Sequence, residues 1–129
     1  MTEDARKTCA LVVEDDPNIV DLIRSNLAVR GFDTVVSVDG MRALQQVRRN
    51  GQPVHLTPTE FALLRELAVN RGKLLTHAHL LRRVWGHGYE TETEYLRVYV
   101  RRLRAKLEAE GSAPLILTQP RAGYRLAPE

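Results

Sequence analysis

Cysteine is nearly absent from this chain of 129 residues, and long apolar segments are missing altogether. Cys9 stands alone, which excludes an internal disulfide and a zinc site of clustered cysteines, and agrees with a reducing cytoplasm. No apolar run approaches the ~20 residues that a membrane-spanning helix needs. The N-terminal residues MTEDARKT are polar, unlike the apolar stretch of a signal peptide. We therefore expect a cytoplasmic protein that has no membrane partner.

Aspartate is absent after Asp39, and the charge differs between the two parts of the chain. Residues 1–51 carry a net charge of −1, whereas residues 52–129 carry +4, within a total of +3. Hydrophobic residues make up 43% and charged residues 27%, a globular balance that argues against a disordered tail. The asymmetry predicts two segments with different roles, the second one better suited to a polyanion.

Residues 1–51 have the pattern of the first part of an α/β domain. An apolar run predicts a strand buried on both faces, and Asp16-Pro17 is typical of a helix start. A second helix is expected because Met41, Leu44 and Val47 recur on one helical face. The predicted elements are a strand over 9–13, a helix from 17 to the stop at Gly31, a strand over 33–38 and a helix over 40–49.

Residues 52–129 predict three helices, short strands and a terminal β-hairpin. Thr57-Pro58-Thr59-Glu60 has the residues of a capping box, in which Thr57 caps the helix and Glu60 reaches back. The longest helix has an apolar stripe at i, i+4, i+7 and i+11 spacing, formed by Leu96, Val100, Leu103 and Leu107. The helices are predicted over 57–70, 76–86 and 94–110, with short strands at 54–56 and 74–75 and hairpin strands at 115–118 and 124–126.

Arginines lie away from this stripe on the helix over 94–110, where no acidic residue occurs between positions 95 and 104. Arginine forms paired hydrogen bonds to phosphate and to guanine edges, and helix-turn-helix proteins read duplex DNA with such a helix. The alternative is a solvated basic face that glutamates at both ends of the helix balance. The capped helix and the loop before it favour DNA. The arginines are Arg97, Arg101, Arg102 and Arg104, and the glutamates are Glu94, Glu108 and Glu110.

Clustered carboxylates follow the first predicted strand as Glu14-Asp15-Asp16. At the carboxyl edge of a parallel sheet, such residues bind cations such as Mg²⁺. The simpler interpretation, which the residues alone favour, is that Asp16 caps the helix and its neighbours stabilise the helix N-terminus. His77 and His79 do not share a helix face as a metal pair would. Phosphate-binding and nucleophile motifs are absent, so we expect neither an enzyme nor a cofactor.

Both parts of the chain resemble segments of two-component regulators. CALVVEDDPNIVDLIRSNL and GFDTVVSVDGMRALQQV resemble the start of a response-regulator receiver domain. LTPTEFALL, RRVWG, RRLRAKLE and GYRL stand in order and resemble the winged-helix effector domain of the OmpR/PhoB family. The resemblance implies an α+β chain, with a truncated receiver β-α-β-α unit over 1–51 and a winged helix-turn-helix with a C-terminal β-hairpin over 52–129.

The receiver resemblance stops before the residue that accepts a phosphoryl group. In the family this phosphoacceptor is an Asp at the end of the third strand, which has no counterpart here, so the resemblance implies no phosphoryl transfer. Glu14 and Asp15 match the acids of the family's Mg²⁺ pocket, whose other ligands are missing, which makes them a vestigial metal site. Of the effector domain's N-terminal antiparallel sheet, only residues 54–56 match.

The effector resemblance assigns DNA-facing positions residue by residue. Pro120-Arg121 stands where the family often has Arg-Gly or Pro-Gly, so Arg121 can reach the minor groove or the lost glycine can strain the turn. The acidic loop over 87–93 matches a segment that can touch RNA polymerase in relatives. The resemblance also implies a homodimer that binds tandem DNA sites. The DNA-facing positions are Arg97, Tyr99, Arg101, Arg102 and Arg104 on the recognition helix, with Thr118 as a phosphate contact and Arg121 in the wing.

Three interpretations remain open at this point. The first is a DNA-binding transcription regulator that has lost phosphorylation control, and the second is a protein-interaction module that binds an intact regulator or polymerase. The third is a non-functional deletion remnant, because two unfinished sheets expose unpaired edges and uncovered apolar faces. The apolar faces would be covered if residues 1–51 packed on the effector helices, at the position that the N-terminal antiparallel sheet occupies in relatives.

Overall fold

The structure, a computed structural model, describes residues 17–29, 31–36, 44–49, 52–108 and 114–127. Its helices are α1 (Pro17–Ala28), α2 (Pro58–Val69), α3 (His77–Trp85) and α4 (Thr93–Leu107). Its strands are β1 (Phe32–Val36), β2 (Leu44–Arg49), β3 (Gln52–Val54), β4 (Leu75–Thr76), β5 (Ile116–Gln119) and β6 (Gly123–Leu126). They form two three-stranded antiparallel sheets, in the orders β1-β2-β3 and β4-β6-β5.

The α+β class and the winged helix-turn-helix with its terminal hairpin are confirmed. The strand predicted over 9–13 lies outside the described residues. None of the described helices is long and apolar enough to cross a membrane.

Helix α2 begins with the capping box that the sequence predicts. The Thr57 hydroxyl accepts the Glu60 N–H at 3.1 Å, and the Glu60 carboxylate accepts the Thr57 N–H at 2.9 Å. The same carboxylate oxygen, on a residue only 1% exposed, lies 2.6 Å from the Lys106 ammonium in the last turn of α4. The carboxylate that caps α2 therefore also fastens the C-terminal end of α4 to the start of α2.

Helix α4 buries one face against α2 and α3. Leu96, Val100, Leu103 and Leu107 are each 1% exposed or less, as their spacing in the sequence predicts. Burying one such side chain contributes ~1.5–3 kcal/mol, so the stripe determines how α4 is rotated about its own axis. The opposite face of the helix is left toward solvent.

Helix α1 and strand β1 share the core of the helices that follow them. Ile19, Val20, Ile23 and Leu27 of α1 and Phe32 of β1 are buried in the same cluster as the apolar residues of α2 and α4. Helix α1 also contacts α2 directly. This part of the chain is thus packed into one apolar core with the winged helix.

The second helix expected over residues 40–49 is wrong, because residues 44–49 form strand β2. Strand β2 pairs with β1, where Val47 lies opposite Thr34, and with β3, where Val47 lies opposite Val54. The helical spacing of Met41, Leu44 and Val47 is only a weak indication of a helix. Residues 44–49 form a strand because they pair with two neighbouring strands. The sheet in front of α2 therefore has three strands, and the boundary expected at residue 51 falls in the connection between β2 and β3.

Strand β6 can lie against β4 only because residue 123 is glycine. Gly123 pairs with Thr76, and a Cβ atom at this position would lie 1.8 Å from the Leu75 carbonyl oxygen. Because that oxygen belongs to the backbone, any larger residue at 123 would separate the two strands. The pairing holds the hairpin of β5 and β6 beside the start of α3.

Replacing Gly123 with alanine is expected to lower the free energy of unfolding by ~2–4 kcal/mol, since β6 must move away from β4. Guanidinium unfolding followed by circular dichroism measures the change. Gln119→Ala alters an exposed side chain on the paired strand, so this control should change stability by less than ~0.5 kcal/mol. Equal stability of G123A and the wild type would contradict the close approach.

Truncating Ile23 tests whether α1 unfolds together with the winged helix. Ile23→Ala removes a side chain that is 1% exposed in the shared core, so a loss of ~2–5 kcal/mol is expected. The fluorescence of Trp85, the only tryptophan, reports unfolding of the winged helix, and its midpoint should move to lower denaturant. Arg24→Ala, the next residue along α1, is the control. If the Trp85 unfolding midpoint of I23A equals that of the wild type, α1 unfolds independently of the winged helix.

Candidate nucleic-acid interface

The solvent-facing side of α4 carries the arginines that the sequence singles out. Arg97, Arg101 and Arg102 are exposed, whereas Arg104 is only partly exposed. Arg97 forms an ion pair with Glu94 one turn earlier, at 3.2 Å between the charged atoms. The helix therefore presents a positively charged face opposite its apolar stripe, with an acidic residue only near its first turn.

Arg102 lies over the ring of Tyr99, which itself packs on Trp85. Its guanidinium carbon lies 4.9 Å from the centroid of the Tyr99 ring, and Tyr99 contacts Trp85 of α3 edge to face, with 5.3 Å between ring centroids. A guanidinium that lies over a ring is held in position while the N–H donors at its edge remain available. Tyr99 is half-buried against the core, so the arrangement orients an exposed arginine before any ligand binds.

Arg104 contacts the hairpin and is not simply directed toward solvent. Its guanidinium donates to the Ile116 carbonyl oxygen at 2.9 Å and to the Thr118 hydroxyl at 2.5 Å. Glu108 lies 3.9 Å from the guanidinium, whose carbon is 5.9 Å from the centroid of the Tyr124 ring. Arg104 thus joins α4 to β5 and β6, and it orients the hydroxyl of Thr118, a predicted phosphate contact.

The hairpin turn contains the strain that the missing glycine predicts. Ala122 donates its N–H to the Gln119 carbonyl at 3.0 Å, which closes a four-residue turn with Pro120 second and Arg121 third. Arg121 has a φ of +66°, in the left-handed region that favours glycine. Proline second and positive φ third are typical of a type II turn. Arg121 is therefore held at the exposed tip of the hairpin at a cost in backbone energy.

A cleft of about 360 Å³ separates the first turns of α4 from the hairpin. Arg97 enters it from α4 and Arg121 from the turn, while His77 at the start of α3 packs edge to face on Tyr124, at 5.6 Å between ring centroids. From the sequence, His77 was considered only as a metal ligand, and nothing there signalled this position, which follows the N-cap Thr76 of α3. The cleft lining includes His77, Arg97, Thr118, Pro120, Arg121 and Tyr124.

The loop between α3 and α4 forms a separate acidic surface. The Glu90 carboxylate accepts the Gly88 N–H at 2.9 Å. Hydrogen bonds from its own backbone N–H and from that of Gly88 lower the pKa of Glu90, with a smaller contribution from the charge of His87. Tyr89 and Tyr95 are exposed and lie 6.1 Å apart between ring centroids. The loop surface thus combines a carboxylate with a pair of exposed aromatic rings.

The described residues offer no metal site. Among them, no group of three or more His, Cys, Asp or Glu side chains is placed to hold a metal ion. Glu14 and Asp15, the vestigial pocket acids of the sequence analysis, lie outside the described part of the chain.

Comparison with known sequences places most of the chain in one family. Residues 51–126 match the family described as "Transcriptional regulatory protein, C terminal". The transcriptional regulatory protein KdpE of Mycobacterium tuberculosis is 52% identical over 108 residues, which are 80% of this chain and 48% of that protein. KdpE of Escherichia coli K12 is 43% identical over 84 residues, 64% of this chain and 37% of that protein. The chain thus spans about half the length of these curated relatives, or less. The helix sequence YLRVYVRRLRAKLE resembles the KdpE type, and these relatives confirm that expectation.

Solved structures of DNA-binding domains are also similar to this chain. The DNA-binding domain of Klebsiella pneumoniae RstA in complex with the RstA box is 32% identical, with a TM-score of 0.56, and the match covers 66% of this chain and 85% of that one. The DNA-binding domain of Bacillus subtilis CssR is 30% identical, with a TM-score of 0.56, over 73% of this chain and 99% of that one. A match over 73% of the chain extends beyond residues 51–126 into the segment that precedes them.

Replacing Arg121 with glycine is expected to raise the free energy of unfolding by ~0.5–1 kcal/mol. The left-handed conformation costs a residue with a side chain ~1–2 kcal/mol, and part of this gain is lost because glycine has more freedom in the unfolded chain. Guanidinium unfolding measures the difference. Ala122→Gly, at a position without positive φ, is the control and should lower stability. A less stable R121G would contradict the strain at this turn.

Proposed function

This chain belongs to the family of transcriptional regulatory protein C-terminal domains, and on that premise we propose that it is a transcription regulator that binds duplex DNA. In this proposal α4 lies in the major groove, and the hairpin of β5 and β6 contacts the backbone or the minor groove. The observation that carries it is the position of α4, whose leucines are buried while Arg97, Arg101 and Arg102 face solvent. A protein with this role would act in the cytoplasm, and it would need no enzymatic activity.

In this proposal some residues of the recognition helix contact DNA directly, and others hold those residues in position. We assign base or phosphate contacts to Arg101 and Arg102, because both are exposed and Arg102 is pre-oriented by the Tyr99 ring. Tyr99 acts as the support of Arg102, since its own ring is half-buried against Trp85. Arg104 acts as a positioning residue that keeps the Thr118 hydroxyl at the DNA side of the hairpin.

The N-terminal segment is assigned a structural role in this proposal. The apolar face of α1 packs on α2, and β1 and β2 extend the sheet that begins with β3. Residues 1–51 would then act as a support of the winged helix in place of a phosphorylated receiver, since no aspartate follows Asp39. The shared core also counts against a deletion remnant without a stable fold.

Two further partners belong to the proposal. The acidic loop over 87–93 presents Tyr89 and Glu90, a surface suited to RNA polymerase. A homodimer on tandem DNA sites would match two winged helices to two repeats of one sequence.

Selection of bound duplexes from a random DNA pool by the purified chain, at physiological salt, tests the proposal. A short enriched motif is expected, and direct repeats of it would support the dimer. Arg102→Ala should cost ~1–3 kcal/mol on the enriched motif and much less on an unrelated duplex. Equal losses on both duplexes would make Arg102 a phosphate contact.

The alternative function, a protein-interaction module, is favoured by one observation, the exposed tyrosine pair beside the acidic loop. It predicts no enriched motif from folded, soluble protein. Capture of RNA polymerase or an intact regulator by that protein, unaffected by Arg101→Ala and Arg102→Ala, would then favour the module over the regulator.

A further inference from the structure

We propose that Glu108 is a positioning residue that holds the hairpin of β5 and β6 at a fixed place beside α4, so that this carboxylate strengthens DNA binding although its charge opposes it. Glu108 is the C-cap of α4, the helix whose solvent-facing side carries the arginines. An acidic group close to a polyanion ordinarily weakens binding. The inference rests on the proposed function, because it concerns the element that would meet the duplex next to α4.

The Glu108 carboxylate is bound to the backbone of the hairpin. One of its oxygens accepts the N–H of Leu115 at 2.8 Å and the N–H of Ile116 at 2.9 Å, and the Glu108 side chain is only 19% exposed. Hydrogen bonds to a charged acceptor are stronger than those to a neutral one, and a buried N–H that loses its acceptor is costly. A glutamate that would otherwise balance a basic helix face thus fastens the start of β5.

Arg104 and Glu108 hold the same residue of β5 at both of its backbone groups. Ile116 donates its N–H to Glu108, and its carbonyl oxygen accepts the Arg104 guanidinium at 2.9 Å. Strand β5 is the last in the order β4-β6-β5, and β6 reaches the carbonyl of the preceding residue, Leu115, through the Ala127 N–H. Because backbone groups alternate in direction along a strand, those of Ile116 point away from β6. The two side chains of α4 therefore take the place of a further strand at this edge.

The position of the hairpin tip depends on this attachment. Strand β5 leads from Ile116 to the turn that contains Arg121, and Arg104 also donates to the Thr118 hydroxyl on the way. A surface divided between two elements binds well when their spacing is fixed in advance, since ordering them on binding costs free energy. Loss of the Glu108 acceptor is therefore expected to weaken binding through the hairpin.

Hydrogen exchange of the full chain, followed by NMR, tests the attachment without DNA. The amides of Leu115 and Ile116 should exchange slowly in the wild type and in Glu108→Gln, whose amide oxygen can accept the same N–H groups. In Glu108→Ala both amides should exchange about tenfold faster, while amides in the middle of α4, such as those of Val100 and Leu103, keep wild-type rates.

Two results of the exchange experiment would overturn the proposal. If both hairpin amides keep wild-type rates in E108A, Glu108 does not hold them. If all amides of α4 and of the hairpin accelerate equally, Glu108 supports the whole fold and not the position of the hairpin.

DNA binding tests whether the attachment matters for function. With a duplex that carries the selected motif, followed by fluorescence anisotropy, E108A should bind about tenfold more weakly, and E108Q should bind about as tightly as the wild type. Glu94→Ala removes a glutamate that is 69% exposed at the other end of the same helix, so this matched control should bind at least as tightly as the wild type. Tighter binding by E108A would show that the charge of Glu108 dominates, and the proposal would be wrong.

Shortened duplexes separate the position of the hairpin from a general loss of affinity. Base pairs are removed stepwise from each end of the duplex, and removal of those that meet the hairpin should weaken the wild type. The same removal should cost E108A much less, because this variant has already lost part of that contact. If the removal costs E108A as much as the wild type, Glu108 does not act through the hairpin and the proposal fails. If the wild type itself binds no duplex, the proposed function fails first, whereas wild-type affinity in E108A overturns this inference alone.

Discussion

The direction of the arginines on α4 depends on the burial of the apolar stripe on its opposite side. Leu96, Leu103 and Leu107 are fully buried, and Val100 is 1% exposed. Rotating the helix enough to turn its arginines inward would expose these side chains, at ~1.5–3 kcal/mol each. The hydrophobic effect, which is not directional in itself, thereby gives a polar surface a definite orientation. The Glu60–Lys106 contact adds a fixed point at the C-terminal end of the same helix.

The hairpin needs its own attachments, because four-residue strands bury little surface by themselves. Gly123 allows β6 to approach β4, which places the hairpin beside the start of α3. Arg104 fastens β5 to α4 through the Ile116 carbonyl and the Thr118 hydroxyl. The position of the hairpin relative to α3 and α4 therefore depends on both attachments.

Local patterns in the sequence predict some helices and strands correctly and others incorrectly. The Thr57 capping box and the leucine stripe are confirmed because each depends on residues within a few helical turns. Residues 44–49 form a strand through pairing with β1 and β3, which helical spacing does not register. Arg104 and Thr118 were predicted as DNA contacts, but their mutual hydrogen bond joins residues 14 positions apart on different elements. The cleft near His77 is likewise a product of tertiary packing.

Trp85 lies between the arginine-bearing side of α4 and the acidic loop over 87–93. On one side its ring contacts Tyr99, whose own ring lies under the Arg102 guanidinium on the solvent-facing side of α4. On the other side it lies 6.2 Å from Tyr95, which in turn lies beside Tyr89 of the acidic loop. The Glu90 carboxylate accepts the Gly88 N–H, which holds it within that loop. One indole ring therefore packs against both the tyrosine that orients Arg102 and the tyrosine pair of the loop, so the positions of these two surfaces depend on the same side chain.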